Sequence, residues 1–482
     1  MYQQGLGDCF LLSFPKPGGK HAHVMIDCGV VLGTSEPATV MKKVAENLKA
    51  ATNGKVDVLV ITHEHWDHLS GFDEGQARNV FATIQFDTLW LAWTEDETNP
   101  VARQLREERE RKKKAVKAAR EEAKKRGLTD SAARMAGLLG FFGAAAAGDD
   151  EEEGGGTAGA LAFLKKKCSP TIVQTGGKPS SIPGIDGIRV YVLGPPMDGD
   201  LLKKTNPYKG EGYGLGGAGA AIALTDAFQA AFDSSDERGQ PFLKTLRKPM
   251  SELKERLSDA QKQAAAAKTK SPEKAGIDWY EDATNKWRNI DDAWLAVGER
   301  LALHLDNATN NTSLVLAFEF NDTKEVLLFV GDAQAGNWRS WDSREWTVKE
   351  KDGEQRKVTA ADLLQNTIFY KVGHHGSHNA TLREKGLERM TNRRLAAVIP
   401  VDTDVAHTVK GWENMPLPAI QDRLKEKCSV VFQSDKQPQE IKDGPDVCWE
   451  QSGEKFDVRM TDKKTKKVET VRKQCLYTDF FL

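Results

Sequence analysis

A histidine-rich segment directly after an apolar run constrains this sequence more than any other feature. Residues 63–68 read His-Glu-His-Trp-Asp-His, and residues 56–62 before them read Val-Asp-Val-Leu-Val-Ile-Thr. An apolar run of this length, bounded by turn residues, is typical of a strand buried on both faces. The sequence therefore predicts an α/β protein in which these polar side chains leave the end of a buried strand.

The spacing of the four polar side chains in this segment predicts metal binding. In an extended segment alternate side chains point the same way, so His63 and His65 are predicted to bind one metal ion from one side. Asp67 and His68, at the turn into the next helix, are predicted to bind a second metal ion. Imidazole and carboxylate ligands suit zinc, and manganese or iron remain open alternatives.

Two later segments end apolar runs in the same way. Asp332 follows the run at 325–330, and a carboxylate at such a strand end can bridge two metal ions. The segment at 372–378 holds two adjacent histidines, one of which is predicted to complete the second metal site. We favour His374 because it comes first after the strand, and His375 is the alternative. Ser377 and His378 are predicted either to contact substrate oxygen or to cap a helix.

Composition and charge exclude several classes of protein. The net charge of −2 gives no global basic field for nucleic acid, so any basic surface must be local. The sequence contains no run of about 18 apolar residues, which a membrane-spanning helix would need. Its N-terminus lacks the pattern of a secretory signal. The six cysteines are scattered and are predicted to be reduced, so we expect a cytoplasmic protein with no membrane contact.

The strand-like, motif-bearing parts of the chain are separated by two long segments of helical composition. One of these segments contains a basic stretch, residues 103–126, with 12 Lys/Arg against 5 Asp/Glu. It is followed by an acidic, glycine-rich loop at 148–156. The predicted organisation is a core at 1–95, an insertion at 96–184, a core strand at 185–197, a helical insertion at 198–305, a second core part at 306–410 and an extension at 411–482.

The polar segments resemble the metallo-β-lactamase superfamily through the H-x-H-x-D-H segment, the late aspartate and the late histidine. Further segments resemble its ComEC-like hydrolase branch. They are Gly5-Leu6-Gly7-Asp8-Cys9, Met25-Ile26-Asp27-Cys28-Gly29, Asn310-Asn311-Thr312-Ser313-Leu314, Gly331-Asp332-Ala333 and Val372-Gly373-His374-His375-Gly376-Ser377. The resemblance covers about half of the chain and leaves out the two insertions.

The resemblance implies an αββα sandwich with two large, mostly helical insertions and two Zn²⁺ ions at one edge. It implies a metal-dependent hydrolase that uses a metal-activated hydroxide. Asp332 would bridge the ions, Asp67 would orient the nucleophile, and His375 or His378 would donate a proton to the leaving group. Asn310 is predicted to contact substrate.

One departure from the superfamily pattern concerns the first metal site. Many members carry a further histidine ligand just before the strand that begins here at Ser313, and this chain has Thr309-Asn310-Asn311 instead. The first metal ion is therefore expected to bind more weakly, and single-metal occupancy is an alternative.

The substrate is predicted less directly than the metal site. A phosphodiesterase or nuclease is the first hypothesis, with residues 103–126 as a local nucleic-acid contact, although such a mixture of charges is equally typical of a solvated helix face. The second hypothesis is hydrolysis of a small molecule such as a phosphorylated metabolite, a lactone or a thioester. The third is an effector subunit gated by a protein partner, which would dock on the helical insertions; these could also form a homo-oligomer contact.

Overall fold

The computed structural model describes residues 1–143, 155–213, 259, 296–436, 448–461 and 468–481. Most of the predicted acidic loop at 148–156 lies outside the described residues. So does most of the insertion predicted at 198–305, including its three tryptophans Trp279, Trp287 and Trp294.

Fifteen strands are present in the described residues, and most of them form two sheets. The first sheet has the order β1-β2-β3-β4-β5, and the second has the order β13-β12-β11-β8-β7-β6. β9 pairs with β10 and β14 pairs with β15 as separate antiparallel hairpins. The bounds are β1 Cys9–Pro15, β2 His21–Cys28, β3 Lys55–Val60, β4 Gln85–Ala92, β5 Pro170–Val173, β6 Ile188–Gly194, β7 Val315–Phe320, β8 Val326–Phe329, β9 Glu345–Lys349, β10 Gln355–Thr359, β11 Thr367–Lys371, β12 Ala396–Ile399, β13 Val430–Gln433, β14 Cys448–Thr461 and β15 Val468–Phe481.

Helices precede or follow most of these strands. The α-helices are Pro37–Ala51, Trp66–Leu69, Arg78–Phe81, Pro100–Lys125, Thr129–Leu139, Gly156–Lys167, Gly199–Lys203, Ala296–Asn310, Ala335–Arg339, Ala360–Gln365 and Pro418–Lys427. A π-helix spans Val405–Lys410. Residues 1–95, predicted as the first part of the core, contain the first four strands, and β5 within the predicted insertion 96–184 extends the same sheet.

The layers confirm the αββα sandwich. One apolar cluster joins the facing sides of the two sheets, with Phe10 and Val60 from the first sheet and Phe318 and Phe369 from the second. A second cluster packs the helix Pro37–Ala51 on the outer face of the first sheet. A third packs the helices Ala335–Arg339, Ala360–Gln365 and Pro418–Lys427 on the outer face of the second sheet. The mixed α/β architecture of the core is thus the one expected from the sequence. The helical character of the insertion predicted at 198–305 stays a prediction, because most of it lies outside the described residues.

The chain divides into two compact units. The first comprises the described parts of Met1–Glu108, Gly137–Ala220 and His304–Leu482, and the second those of Arg109–Ala136 and Ala221–Leu303. In the second unit, Val116 and Ala119 on the basic helix are buried. Ion pairs such as Lys124–Glu121, 3.0 Å, join charges along the same segment. This helix therefore has one buried apolar face and partly paired charges.

The described residues allow two statements, one on membrane-spanning helices and one on the state of the cysteines. None of the helices found there is long and apolar enough to cross a membrane. The five cysteines with described side chains, Cys9, Cys28, Cys168, Cys428 and Cys475, are all free thiols.

Candidate metal centre

The polar side chains singled out in the sequence meet at one edge of the sandwich because several strands end or begin there. β2 and β3 run parallel, as do β8 and β11, so their carboxyl ends share an edge within each sheet. β7 runs antiparallel to β8 and therefore begins at that edge. The amide of Leu314 donates to the carbonyl of Thr62 at 2.8 Å, which ties the two sheets together beside the histidine-rich segment.

The tightest part of the site is a buried cluster of two histidines and two aspartates around the end of β8. Nε2 of His68 lies 3.3 Å from Oδ2 of Asp332 and 3.8 Å from Oδ2 of Asp67. Nε2 of His375 lies 3.0 Å from Oδ2 of Asp67 and 3.6 Å from Oδ2 of Asp332. Ligand atoms of His68, Asp332, His375 and Asp8 all lie within 4.8 Å of one another, which fits a metal site.

Both histidines of this cluster are held so that Nε2 faces the carboxylates. Nδ1 of His68 donates to Oδ2 of Asp27 at 2.8 Å, and Nδ1 of His375 donates to the carbonyl of Pro400 at 2.7 Å. With a metal ion bound, each imidazole would keep its proton at Nδ1 and offer the lone pair of Nε2 to the ion. Asp27 is itself held, because the amide and hydroxyl of Thr62 both donate to it.

The structure places His375 in this cluster and His374 at its margin. His374 and His375 both adopt left-handed backbone conformations, with φ of 43° and 52°. Nε2 of His374 lies 3.4 Å from Nδ2 of Asn310, and its ring is less deeply buried than that of His375. Strain of this kind in non-glycine residues is concentrated at functional sites.

His63 and His65 form the other side of the site. Nδ1 of His63 lies 3.1 Å from the hydroxyl oxygen of Thr62. Because that hydroxyl donates to Asp27, its oxygen accepts from His63, and Nε2 of His63 carries the lone pair. Nε2 of His63 lies 3.1 Å from Oδ1 of Asn310. The ring of His65 packs between Phe141 and Phe142 and directs Nε2 toward Asp306, 3.8 Å away.

A fully buried lysine supports Asp332 from beneath. Nζ of Lys371 lies 3.2 Å from Oδ1 of Asp332 and 2.5 Å from Oδ2 of Asp8, and it donates to the carbonyl of Gly331 at 2.7 Å. Burial alone would lower the pKa of Lys371, but the carboxylates of Asp8 and Asp332 outweigh it and raise that pKa. The ammonium group therefore remains charged and leaves Oδ2 of Asp332 to face the histidines.

The electrostatics of the site favour a cation. Burial lowers the pKa of His65 to about 3, which keeps this imidazole neutral. Burial would also lower the pKa of His68, but Asp332, Asp27 and Asp8 raise it well above its ordinary value. Burial would raise the pKa of Asp67, but the charge of His68 and a hydrogen bond from His375 lower it to about 2.

The donor set fits divalent metal ions. Nε2 of His65, Nε2 of His68 and Oδ1 of Asp67 are buried and have no hydrogen-bond partner in the described part of the chain. A buried polar atom without a hydrogen-bond partner destabilises the folded protein, unless a bound ion or water molecule interacts with it. Five buried carboxylates surround the site, against one fully buried ammonium among the described residues: Asp8, Asp27, Asp67, Asp306 and Asp332, with Lys371. Neutral imidazoles and excess carboxylate are the ligands of zinc and related metals.

The predicted substrate-binding residues differ in where they lie. Asn310 sits between His63 and His374, inside the site. Ser377 is buried, and its hydroxyl donates to Oδ1 of Asn379 at 3.0 Å. His378 is exposed, with Nε2 3.4 Å from Oδ1 of Asn206. Of the three, only Asn310 has a side-chain atom close to a histidine of the metal centre, with Oδ1 3.1 Å from Nε2 of His63.

Sequence reasoning missed several residues of the centre. Asp8 and Asp27 lie in the segments that carried the family resemblance, and each flanks a strand end, so a role for them was open to inference. Lys371 is the one charged residue of β11. A charged side chain on a buried strand needs a partner of opposite charge, so its position could have indicated a buried ion pair. Asp306 lies in a helix and carries no local signal.

Comparison with known proteins agrees with this geometry over part of the chain. Neither the curated proteins nor the solved structures compared with the chain give a match. Residues 4–139 do match a family model, and this stretch includes Asp8, Asp27 and the whole segment 63–68. Asp332 and His375 come from outside the matched stretch, and the fold brings them to the same site. The family matched by residues 4–139 is the metallo-beta-lactamase superfamily.

Proposed function

We propose that this protein is a metal-dependent phosphodiesterase, with nucleic acid as its substrate class and zinc as its metal. His63 and His65 would hold one ion, Asp67, His68 and His375 the other, and Asp332 would lie between them. Divalent ions held there would lower the pKa of a water molecule and offset negative charge as it develops on the substrate. The ComEC-like resemblance of the segments at 5–9, 25–29 and 310–314 supports the same activity.

The chain's own residues organise the two sides of the centre. Asp27 and the carbonyl of Pro400 hold the proton of each imidazole at Nδ1, so that His68 and His375 present Nε2 to the centre. Lys371 holds Oδ1 of Asp332 and so orients its other oxygen. This preorganisation means that little reorganisation is needed during reaction.

One observation favours an anionic substrate, and it concerns Lys410. This lysine ends the π-helix Val405–Lys410, and short π-helical segments are frequent at functional sites. It is half-buried, and no carboxylate oxygen of a described residue forms an ion pair with its Nζ. Burial lowers its pKa to about 8, although the nearby charges of Asp67 and Asp306 act in the opposite direction. The ammonium is thus largely charged at neutral pH and interacts electrostatically with Asp67 and Asp306.

Two aromatic rings flank the Lys410 ammonium. Nζ lies 5.5 Å from the centroid of the Phe141 ring and 5.8 Å from that of Trp412. The two rings stack on each other with centroids 5.6 Å apart. A cation next to flat apolar surfaces is suited to a phosphate group joined to a base, since bases stack on aromatic side chains. A neutral lactone or thioester would make no use of the charge.

The basic segment 103–126 has a less direct place in this proposal. It would add a nucleic-acid contact that does not depend on sequence, because phosphate contacts by Lys and Arg act electrostatically. The ion pairs within the helix reduce the charge available for such contacts. The proposal of an anionic substrate therefore rests on Lys410 and not on the basic helix.

The experiment compares metal-loaded protein with variants on several substrates. Bis-p-nitrophenyl phosphate, single- and double-stranded DNA and RNA are tested beside a lactone and a thioester. We expect phosphodiester cleavage that is abolished in Asp67→Ala/His68→Ala. Lys410→Gln is expected to lower kcat/KM for phosphodiesters by about 10²–10³-fold, the range for removing one group that stabilises developing charge.

The matched control is Lys425→Gln, which removes one positive charge from an exposed position on the helix Pro418–Lys427. It should leave phosphodiester cleavage unchanged. Cleavage of the lactone or thioester with none of any phosphodiester would overturn the proposal. So would a Lys410→Gln variant that cleaves phosphodiesters at the wild-type rate.

A further inference from the structure

A buried carboxylate lies beside His65 and takes no part in the proposed set of ligands. Asp306 lies on the helix Ala296–Asn310 and is only 7% exposed. Its Oδ1 has no hydrogen-bond donor among the described residues, and Nε2 of His65, 3.8 Å away, has no partner either. Two unpaired polar atoms thus face each other across a gap too long for a hydrogen bond.

The spacing between these two atoms is close to that of two ligands sharing one metal ion. With bonds of about 2.0–2.2 Å, two donor atoms on a tetrahedral zinc lie roughly 3.3 Å apart. The separation of 3.8 Å between Nε2 of His65 and Oδ1 of Asp306 needs only a small adjustment to reach that value.

The helix places Asp306 and Asn310 on one face, because residues four apart lie one turn above each other. Asn310 meets His63, with 3.1 Å between Oδ1 and Nε2, and Asp306 lies beside His65. This helix leads to the position just before β7, where superfamily members commonly carry the third histidine that this sequence lacks. One turn earlier, the helix offers a carboxylate to the same pair of histidines.

The surroundings of Asp306 also call for a cation. Among the described residues, the basic group within 4 Å of its carboxylate is His65, and the 3.8 Å between them is too long for a hydrogen bond. A buried carboxylate without donor or cation is costly, and a metal ion on His63 and His65 would remove that cost.

We propose that Asp306 is a ligand of the divalent cation held by His63 and His65, in place of the third histidine. The inference rests on the metal centre of the proposed function but not on its substrate. The inference also concerns how fully the first metal site is occupied. Asp306 would add a ligand to His63, His65 and the shared Asp332, and so raise the affinity of this site for its ion.

The test measures metal binding by the full chain without substrate. Protein stripped by a chelator is titrated with Zn²⁺ against a chromophoric competitor, and the two stepwise affinities are compared between variants. Asp306→Asn is expected to weaken one of the two steps by at least about 10–100-fold, the loss typical even of residues that only orient ligands. Asp422→Asn, which removes a carboxylate from an exposed position on the helix Pro418–Lys427, should leave both steps within a few-fold of wild type.

A second variant gives a spectroscopic signature that a structural role would not produce. In Asp306→Cys loaded with Co²⁺, a thiolate at position 306 bound to the ion should add a sulfur-to-cobalt charge-transfer band that is absent from the wild type. This variant also keeps the inference testable if Asp306→Asn does not fold.

The outcomes separate the inference from the function. Two Zn²⁺ ions bound with wild-type affinity by Asp306→Asn, or no charge-transfer band in Asp306→Cys, would overturn the role of Asp306 and leave the metal centre standing. A wild-type chain that binds no metal would overturn both. Two ions with a weakened step in Asp306→Asn, but no phosphodiester cleavage by the wild type, would uphold the ligand and refute the substrate.

Discussion

Replacing Lys371 with methionine tests how the buried charges of the metal centre are held. Lys371 is fully buried, and its ammonium contacts Asp8, Asp332 and the carbonyl of Gly331. Methionine keeps a long unbranched side chain, so the change removes the charge with little loss of packing. We expect metal-free Lys371→Met to be less stable than the wild type by about 3–5 kcal/mol, the usual cost of removing one partner of a buried ion pair.

The magnitude follows from what remains after the substitution. Two carboxylates, those of Asp8 and Asp332, lose their shared ammonium, and the Gly331 carbonyl loses a donor. A volume-conserving apolar exchange by itself costs less than about 1.5 kcal/mol. Most of the expected loss is therefore electrostatic. The double variant Asp8→Asn/Lys371→Met should accordingly be more stable than Lys371→Met alone, because one of the two uncompensated charges is removed.

The assay is urea unfolding in the presence of a chelator, followed by tryptophan fluorescence. The control is Lys385→Met, which breaks an exposed pair with Asp342 at 2.5 Å and should cost no more than about 1 kcal/mol. Because the pKa of Lys371 is raised, its stabilisation is present below the unfolded value of about 10.4 and is lost only above the raised folded value. The difference from wild type should therefore stay constant between pH 7 and 9. A loss no larger than that of Lys385→Met would refute the reasoning.

Four further predictions concern other parts of the chain. Asp27→Asn should lower metal affinity by about 10–100-fold in competition titrations, because it removes the acceptor that orients His68. Burial raises the pKa of Asp57, but hydrogen bonds from Lys16 and the amide of His23 outweigh it and lower the pKa overall. The difference in unfolding free energy between the wild type and Asp57→Asn should therefore be constant above about pH 5 and shrink as the pH falls below about 4. Thr359→Ala, which removes a capping box, should cost about 1 kcal/mol in urea unfolding. If the segment 103–126 contacts nucleic acid, glutamine at positions 112–114 should reduce the slope of log K against log salt by up to about three units, measured by fluorescence anisotropy, and an unchanged slope would exclude the contact.

The fold and the edge that carries the site could be predicted from the sequence because both depend on local patterns. The apolar runs that end at Thr62, Val330 and Val372 identified three buried strands, and a polar residue after each one could be expected at the same edge. The alternation of side chains predicted that His63 and His65 would face one side. These inferences needed only strand periodicity and the common direction of parallel strands.

The residues that could not be predicted are those whose role depends on contacts between distant segments. Asp306 lies in a helical pattern, and only the packing of that helix against the edge brings it to His65. A lysine is ordinarily exposed, and nothing in the sequence predicts that the π-helix places Lys410 next to the rings of Phe141 and Trp412. Asp8 becomes part of the centre because β1 starts where β2 and β11 end, so that Lys371 can reach it.

The order of the tandem histidines shows why counting from a strand end is an unreliable guide to side-chain direction. His374 is the first histidine after β11 and was favoured on that ground, yet His375 carries the contacts to Asp67 and Asp332. The backbone turns left-handed at both positions, at a cost of about 1–2 kcal/mol each. Bonding of Nδ1 of His375 to the Pro400 carbonyl, at the end of the neighbouring strand β12, offsets part of this cost and fixes which nitrogen faces the carboxylates. The turn therefore directs the second histidine to the carboxylates of Asp67 and Asp332, while the ring of the first lies beside Asn310. A rule based on extended backbone does not anticipate this arrangement.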